Sequence, residues 1–378
     1  MKLSGALLLS AFISHVISPS PAVAAACFRK PQVYPTGQYP LSLVTGDLNN
    51  DGRPDFVVSY DSYNFDYCND RLGDEFINNG KGGFSHLTRI DTGAAPVAMQ
   101  LADFNRDGIP DLAVATAGCP VALPPGLYVA LGKGDGTFIP GSVHASAKFP
   151  SGLAAADFNG DGIVDLLMDN SEGGHKLHLG KGDGTFQPPT QVPGVQGWVY
   201  NSGVIAADFN RDGKIDIAFI GNTGSSFTVQ LGNGDGTFND GPIYVGTNIA
   251  TGDLNQDGIL DIVAVDFYPS IQIDVLTGNG DGTFTLAQTY PDSSGIEAAI
   301  GDLNNDGSID FVVSDDVTPG DIKIFNGMTN GAFVERSVPM PGGTRPIALV
   351  DLDGDGYLDV IAAEYDHVVV LRNTGQCH

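Results

Sequence analysis

Residues 103–111 read DFNRDGIPD, with oxygen-bearing side chains at positions 1, 3, 5 and 9 of the stretch and a glycine at position 6. Copies of this nine-residue pattern start 56, 54, 51, 45, 49 and 49 residues apart, so each repeat unit contains about fifty residues. Such a period is typical of propellers and solenoids. The other copies are DLNNDGRPD from Asp47, DFNGDGIVD from Asp157, DFNRDGKID from Asp208, DLNQDGILD from Asp253, DLNNDGSID from Asp302 and DLDGDGYLD from Asp351.

Strand signals surround every copy of the nine-residue loop. A short Val- and Ile-rich run follows each loop, as in FVVSY from Phe56 and IVAVD from Ile262, and these runs are too short for helices. Glycine turns such as LGKGDGTF from Leu131 come next, and Asp-Gly between strands marks a hairpin. The unit is therefore a strand, the Asp-rich loop, a strand, a longer loop, a strand, the glycine turn and a strand.

Seven units of four strands each are typical of a β-propeller, with a linear solenoid as the alternative. A propeller requires the two ends of the chain to meet, because its blades form a closed ring. CFRKPQVYPTG from Cys27 has the form of a fourth strand, with Phe28 where the other units have their post-turn Phe. The seventh unit ends at VVVLRNTGQCH before any fourth strand, and Cys377 aligns with the position of Cys27. We therefore predict an all-β, seven-bladed β-propeller in which the N-terminal strand completes the last blade. Residues 27–378 form this single domain.

The nine-residue loops have the chemistry of calcium sites. Hard divalent cations take six to eight oxygen ligands, and alternate side chains of a short loop supply several of them. An EF-hand would need Glu at position 12 and flanking helices, but position 12 is apolar in every copy. An unoccupied turn is the other alternative. We expect about seven Ca²⁺ ions, one per blade, with these ligands: Asp47, Asn49, Asp51, Asp55, Asp103, Asn105, Asp107, Asp111, Asp157, Asn159, Asp161, Asp165, Asp208, Asn210, Asp212, Asp216, Asp253, Asn255, Asp257, Asp261, Asp302, Asn304, Asp306, Asp310, Asp351, Asp353, Asp355 and Asp359.

The repeat DFNGDGIVDLLM, followed by LHLGKGDGTF, resembles the FG-GAP repeats, which are called VCBS repeats in bacterial proteins. The resemblance extends over residues 27–378. It implies a calcium-loop propeller like the head of integrin alpha subunits and like some lectins, with metal ligands at the matching loop positions. Members of the family include adhesion heads, lectins and accessory domains of enzymes, so the resemblance alone does not decide the activity.

Charge and targeting signals indicate an exported protein. The formal charge of the chain is −27, and the loops hold 22 of its carboxylates, so seven Ca²⁺ ions would halve the mature charge of −28. Such a polyanion repels nucleic acid. Residues 1–26 have the build of a secretory signal peptide, and no later segment is apolar enough for membrane insertion. We expect a secreted, extracellular or periplasmic monomer.

Four cysteines in an exported chain indicate two disulfides. The repeat alignment favours Cys27–Cys377, which would join the ends of the ring, and it leaves Cys68–Cys119 in the second-to-third-strand loops of neighbouring blades. Free or differently paired thiols are the alternative.

The face opposite the calcium loops carries the longest loops and many aromatic residues. Variable loops on a rigid scaffold commonly bind ligands, although such rings also cover strand ends. We expect a binding or adhesion module, lectin-like in kind, for an extracellular glycan or protein. A polysaccharide lyase or hydrolase, with Glu172, His175, Tyr200 and Glu364 as candidate groups, and a calcium-dependent scaffold are the alternatives; no catalytic constellation is apparent, so we expect no enzyme. The candidate ligand residues are Tyr63, Tyr67, Trp198, Tyr200, Tyr268 and Tyr365.

Overall fold

A computed structural model provides the architecture of the chain. It describes residues 27–60, 72–91, 96–117, 124–145, 150–170, 174–192, 203–221, 226–266, 272–291, 295–315, 320–329, 331–340 and 342–375. The expected signal peptide, the cysteines other than Cys27, and the candidate ligand residues other than Tyr365 lie outside these ranges.

The described residues form 29 strands in seven antiparallel sheets, and each sheet is one blade. None of these residues forms a helix that is long and apolar enough to cross a membrane. Blade 1 contains β2 (Pro40–Gly46), β3 (Asp55–Tyr60), β4 (Leu72–Asn78) and β5 (Phe84–Asp91). Blade 2 contains β6 (Pro96–Ala102), β7 (Asp111–Thr116), β8 (Gly126–Gly132) and β9 (Phe138–Ala145). Blade 3 contains β10 (Pro150–Ala156), β11 (Asp165–Asn170), β12 (His175–His178) and β13 (Thr190–Val192).

Blade 4 differs from the others in having its outer edge divided between two short strands, β17 and β18, which both pair with β16. Blade 4 contains β14 (Val204–Ala207), β15 (Asp216–Ile220), β16 (Ser226–Gly232), β17 (Phe238–Asn239) and β18 (Ile243–Val245). Blade 5 contains β19 (Asn248–Gly252), β20 (Asp261–Asp266), β21 (Gln272–Gly278) and β22 (Phe284–Pro291). Blade 6 contains β23 (Gly295–Gly301), β24 (Asp310–Asp315), β25 (Gly320–Gly327) and β26 (Phe333–Met340).

Blade 7 is built from both ends of the chain, as the sequence predicts. It contains β27 (Ile347–Val350), β28 (Asp359–Glu364), β29 (His367–Leu371) and, as its outer strand, β1 (Gln32–Pro35). Strand β1 pairs antiparallel with β29, with Gln32 opposite Val370. Phe28 bridges to Asn373, as Phe138 pairs with Gly132 in blade 2. The ring is therefore closed by the N-terminal strand, and the linear solenoid is excluded.

The hydrophobic core lies between neighbouring blades. The second strand of each blade is the most buried one; every residue of β3, β7, β20, β24 and β28 is buried. One cluster joins Val312 of blade 6 to Val360 of blade 7, and another joins Phe56 of blade 1 to Ile361 of blade 7. Burial of apolar surface contributes about 25 cal/mol per Å². This packing therefore stabilises blade 7, where the two chain ends meet, in the same way as it stabilises the junctions between the other blades.

Candidate metal centres and the ligand face

Each nine-residue loop connects the first and second strands of its blade, so all seven loops lie on one face of the ring. In the second copy the loop wraps around its first side chain. Asp103 accepts hydrogen bonds from the backbone N–H of Asp107 at 3.0 Å and of Gly108 at 2.8 Å. Asn105 Oδ1 also accepts from the N–H of Asp107, at 2.9 Å. The side chains at positions 1, 3 and 5 therefore converge, as a metal loop requires.

Two left-handed backbone positions produce this convergence. The glycine at position 6 has a positive φ in every copy, for example 84° at Gly108, as the sequence predicts. Position 4 also has a positive φ, which the sequence pattern did not indicate, because its residue varies and is glycine in only two copies. Arg106, Arg211 and Gln256 have φ of 64°, 62° and 61°. This conformation costs a non-glycine residue about 1 kcal/mol or more, so the rest of the loop must enforce it.

The aspartate at position 9 is fully buried in every copy and links the loop to the glycine turn of the same blade. Asp111 Oδ2 accepts the N–H of Phe104 at 2.9 Å, and Asp111 Oδ1 accepts the N–H of Gly132 at 2.8 Å. The equivalent pairs of bonds are present in the other six blades. Each carboxylate oxygen has a second lone pair. Position 9 can therefore support the fold and bind a cation with the same side chain.

Burial raises the pKa of the position 9 carboxyl groups. Removal from water is the largest cause, the backbone N–H bonds oppose it, and the carboxylates of the same loop add to it. The pKa rises to about 6 at Asp55, Asp165 and Asp310. It is also raised at Asp111, Asp216, Asp261 and Asp359. A bound cation would supply the positive charge that favours the ionised form.

The seventh loop differs from the others in having one additional carboxylate and a buried arginine, whose charges offset each other. Its third position is Asp353 instead of asparagine, and oxygens of Asp351, Asp353 and Asp359 lie within 4.8 Å of one another. Arg372 donates from Nη1 to Asp359 Oδ2 at 2.8 Å, and both side chains are buried. The guanidinium also lies over the ring of Phe84 in blade 1, 5.6 Å from its centroid. The extra carboxylate therefore offsets the charge of an arginine that packs across the ring junction.

The loops also contact the next blade around the ring. The N–H of Gly136 in blade 2 donates to the carbonyl of Leu48 in the first loop at 3.0 Å, and equivalent bonds join blades 2 to 3 and 3 to 4. Blade 1 uses a side chain instead: Asn78 Nδ2 donates to the carbonyl of Leu352 in the seventh loop at 2.6 Å. Gln256 Nε2 in the fifth loop donates to the carbonyl of Gly307 in the sixth. A disordered loop would therefore weaken contacts between blades as well as its own turn.

The structure brings the 28 sequence-predicted ligands together as seven separate sets. Their donors are carboxylate and amide oxygens, the ligands that Ca²⁺ prefers, and each loop supplies four such side chains in addition to backbone carbonyls. The residues present therefore fit Ca²⁺. Six loops have an asparagine where the seventh has Asp353, and for this reason only the seventh forms a three-carboxylate cluster among the described residues.

The opposite face carries the one candidate ligand residue that the structure describes. Tyr365 lies in the turn between β28 and β29 and is 50% exposed. Its ring meets that of Tyr39 edge to face, with centroids 4.7 Å apart, and the N–H of Tyr39 donates to its carbonyl at 2.7 Å. Sequence reasoning missed Tyr39, which precedes the first strand of blade 1 and has a φ of 56°. The two rings form a pair where blades 7 and 1 meet, in which Tyr365 is exposed and Tyr39 is half-buried.

The groups considered for an enzyme are not brought together where the structure describes them. His175 is buried in blade 3, where its Nδ1 lies 3.1 Å from Asp169 Oδ1 and its ring packs edge-on against Phe219. Glu364 is buried in blade 7, where its Oε2 lies 2.9 Å from Nε2 of His367. Glu172 and Tyr200 lie outside the described residues. His175 and Glu364 therefore belong to separate blades.

Comparisons with protein families give the same repeats. The family model described as FG-GAP-like repeat matches residues 169–219, 208–264, 253–313 and 302–362. The model described as FG-GAP repeat matches residues 39–75. Three of the four FG-GAP-like matches begin at the first residue of a nine-residue loop, Asp208, Asp253 or Asp302, and every match extends past the following loop, so the matches follow the repeat seen in the sequence.

Similar proteins and structures extend this result. Cartilage acidic protein 1 of Xenopus tropicalis is 30% identical over 163 residues, and that of Homo sapiens is 29% identical over the same length. Each alignment covers 35% of this chain and 23% of the relative, so this chain matches less than a quarter of those proteins. BBS1N in its crystal structure in complex with ARL6DN, soaked with lead, has a TM-score of 0.64 at 12% identity, covering 92% of this chain and 96% of BBS1N. That likeness concerns the fold.

Proposed function

This chain belongs to the FG-GAP-like repeat family, and on that premise we propose that it is an exported calcium-binding propeller that acts as a binding or adhesion module for an extracellular glycan or protein. The observation that carries the proposal is the sevenfold loop, in which matching oxygen donors converge on one face of a closed ring. The other face is left for a partner.

Calcium would hold the loops in their folded form. The ion supplies positive charge among the three or four carboxylates of each loop, which otherwise repel one another. Asp, Asn and Asp at positions 1, 3 and 5 would bind it, and the buried aspartate at position 9 would connect it to the glycine turn. Because the loops also hydrogen-bond to the next blade, ion binding would stabilise the ring and not only single turns.

Export and disulfides belong to the same proposal. Residues 1–26 would direct export, and a bond from Cys27 to Cys377 would lock the ring. The backbone supports this pairing: the carbonyl of Cys27 accepts hydrogen bonds from the N–H of Thr374 at 2.8 Å and from its Oγ1 at 3.0 Å. Cys27 thus lies beside the last described residues before Cys377. Cys68 with Cys119 remains the second proposed pair.

The binding face would be the one that carries Tyr365. An aromatic pair with one exposed ring suits the faces of sugar rings and apolar peptide side chains alike. Even with seven Ca²⁺ ions the mature chain would retain a charge of −14, which disfavours nucleic acid and anionic membranes as partners. We propose a monomer, and we propose no reaction for it.

An array of glycans and extracellular proteins, probed with the mature chain in calcium and again after chelation, tests this function. We expect specific, calcium-dependent retention without turnover, weakened at least fivefold in Tyr365→Ala. Leu286→Ala is the matched control, since Leu286 is 56% exposed on the outer strand of blade 5. Release of cleaved product would support the polysaccharide-processing alternative. The absence of any hit would favour the remaining alternative, a calcium-dependent scaffold without a ligand.

A further inference from the structure

A cavity of about 860 Å³ occupies the central channel of the ring. Its walls are the beginnings of the innermost strands and the residues just before them, from Pro40 in blade 1 to Pro346 in blade 7. The calcium loops follow the ends of these strands, so the cavity opens toward the face that carries Tyr365. The volume lies within the range of small-molecule and peptide sites, about 300 to 1,000 Å³.

Most of the described wall is aliphatic. Leu43, Val97, Met99, Leu153 and Ile296 contribute from four different blades, and no residue lining the described cavity has an aromatic ring. Sugar sites commonly use an aromatic platform, whereas aliphatic side chains pack well against aliphatic walls. The wall therefore favours a peptide with aliphatic side chains over a carbohydrate.

Two charged groups lie together on one side of this wall. Glu297, on β23 of blade 6, and Arg345, just before β27 of blade 7, are the charged lining residues of the described cavity. Burial raises the pKa of Glu297 to about 7, while Arg345 and the N–H of Ile347 oppose that rise. A strongly shifted carboxyl beside a charged partner in a cleft is typical of binding sites, although it also occurs in structural ion pairs.

Further polar groups mark the path that a peptide backbone would follow. The amide oxygen of Asn248, at the start of β19, is buried and accepts no hydrogen bond from the described residues. Gln100 in blade 2 donates from Nε2 to the carbonyl of Leu153 at 3.0 Å, which leaves its own amide oxygen as an acceptor. A peptide presents N–H donors to such acceptors and C=O acceptors to a guanidinium, and each buried polar group gains from a partner.

We propose that the channel is the ligand site of this module and that it takes an extended peptide segment with aliphatic side chains, its main-chain amides paired with Glu297, Arg345 and Asn248. The inference rests on the proposed binding function and names the partner class. The aromatic pair of Tyr39 and Tyr365 adjoins the mouth, since Tyr39 directly precedes the wall residue Pro40.

The probe is the blocked tripeptide acetyl-Leu-Ala-Leu-amide, measured by ligand-observed NMR and titration calorimetry on the mature, calcium-loaded chain. We expect a Kd on the order of 1 mM or tighter for a ligand of this size, and at least tenfold weaker binding of acetyl-Gly-Gly-Gly-amide. Glu297→Gln should weaken the tripeptide at least tenfold, and Ala98→Phe, which fills the channel, should abolish binding. Glu335→Gln on the outer strand of blade 6 is the charge-matched control and should leave the Kd unchanged.

Melting curves with and without calcium keep the test independent of folding, because a variant counts only if its calcium-dependent melting matches that of the parent chain. No tripeptide binding at 10 mM, or binding that survives Ala98→Phe, overturns the proposal. Tighter binding of methyl glucoside than of the tripeptide also overturns it. Array hits that survive Ala98→Phe would show that the binding function stands while the channel does not carry it. Loss of the hits together with tripeptide binding in Ala98→Phe is the expected result, whereas an array without hits for the parent chain would contradict the binding function itself.

Discussion

The backbone N–H of Thr374 donates a hydrogen bond to the carbonyl of Cys27 across 2.8 Å, although the two residues are 347 positions apart in the chain. The same bond closes the glycine turns of the other blades, for example from Lys133 to Thr137 at 3.0 Å. The two chain ends therefore meet in the geometry of a glycine turn, although no continuous backbone connects them there. The closure of the ring depends on whatever holds these ends in place.

A covalent bond between the ends should contribute much of the stability. Cys27→Ser would remove the proposed bridge to Cys377 and free a loop of nearly the whole chain. The chain-entropy model gives a loss of about 6 kcal/mol for such a loop. We expect a clearly lower Tm for the variant than for the parent when both are oxidised, and the same Tm for both when both are reduced.

Peptide mapping of the unreduced parent provides the control. A peptide that links Cys27 to Cys377 is expected. Lipid on Cys27, or an unmodified thiol at both positions, would contradict the pairing.

The buried pair of Arg372 and Asp359 should matter most when calcium is absent. Arg372→Met leaves the Asp359 carboxylate without its buried cation, and breaking such a pair costs about 3 kcal/mol or more. Calcium in the seventh loop would compensate part of this loss. Urea unfolding should therefore show a larger destabilisation without calcium than with it.

Arg336→Met is the control for that comparison, because Arg336 is exposed on the outer strand of blade 6. We expect its free energy of unfolding to stay within about 0.5 kcal/mol of the parent value. An equal loss for Arg372→Met with and without calcium would argue against an ion next to Asp359.

The left-handed glycine of the loop can be tested without a steric clash. A Cβ added at Gly108, where φ is 84°, would meet no atom within 4 Å, so Gly108→Ala changes only the backbone preference. We expect a loss of about 1 to 2 kcal/mol in the free energy of unfolding. Gly203→Ala is the matched control, since its Cβ would also meet no atom within 4 Å and its φ is not positive. Equal effects at both positions would contradict the strained-loop geometry.

The sequence predicted the architecture because the repeat is visible in the residues that must recur. Asp at position 9 must recur in every blade, since each copy accepts two backbone N–H groups in the core, and Gly at position 6 must recur for its backbone conformation. Position 4 escaped prediction because the fold enforces its left-handed backbone on residues as different as Arg106 and Gln256.

The channel could not be predicted from the repeat. Glu297 and Arg345 occur in one blade each, at or just before the start of the innermost strand, where the other blades have uncharged residues. They become neighbours only because the ring places blade 6 beside blade 7. The pairing of Arg372 with Asp359 is hidden for a similar reason, since no other copy of the loop has an arginine partner of this kind among the described residues.

The calcium-free protein should become more stable as the pH falls from 7 to about 5. The pKa of Asp55, Asp165 and Asp310 is about 6 in the folded chain and near 3.8 when unfolded. Between those values the folded state binds more protons, so its stability increases as the pH decreases. Melting of protein dialysed into metal-free buffer, at pH 5 and at pH 7.5, measures this difference.

With calcium present the trend should reverse, because protons then compete with the ion for the same carboxylates. Parent protein in millimolar calcium is the control, and its Tm should be lower at pH 5 than at pH 7.5. A calcium-free chain that melts higher at pH 7.5 than at pH 5 would contradict the raised pKa of these buried carboxyl groups.

The central claim, one ion in each of seven structurally equivalent loops, is tested most directly by native mass spectrometry of the mature chain titrated with calcium. The account predicts mass increments that saturate at seven Ca²⁺ ions per chain and disappear on chelation. Saturation at fewer than seven, or a chain that takes up no calcium, would contradict it.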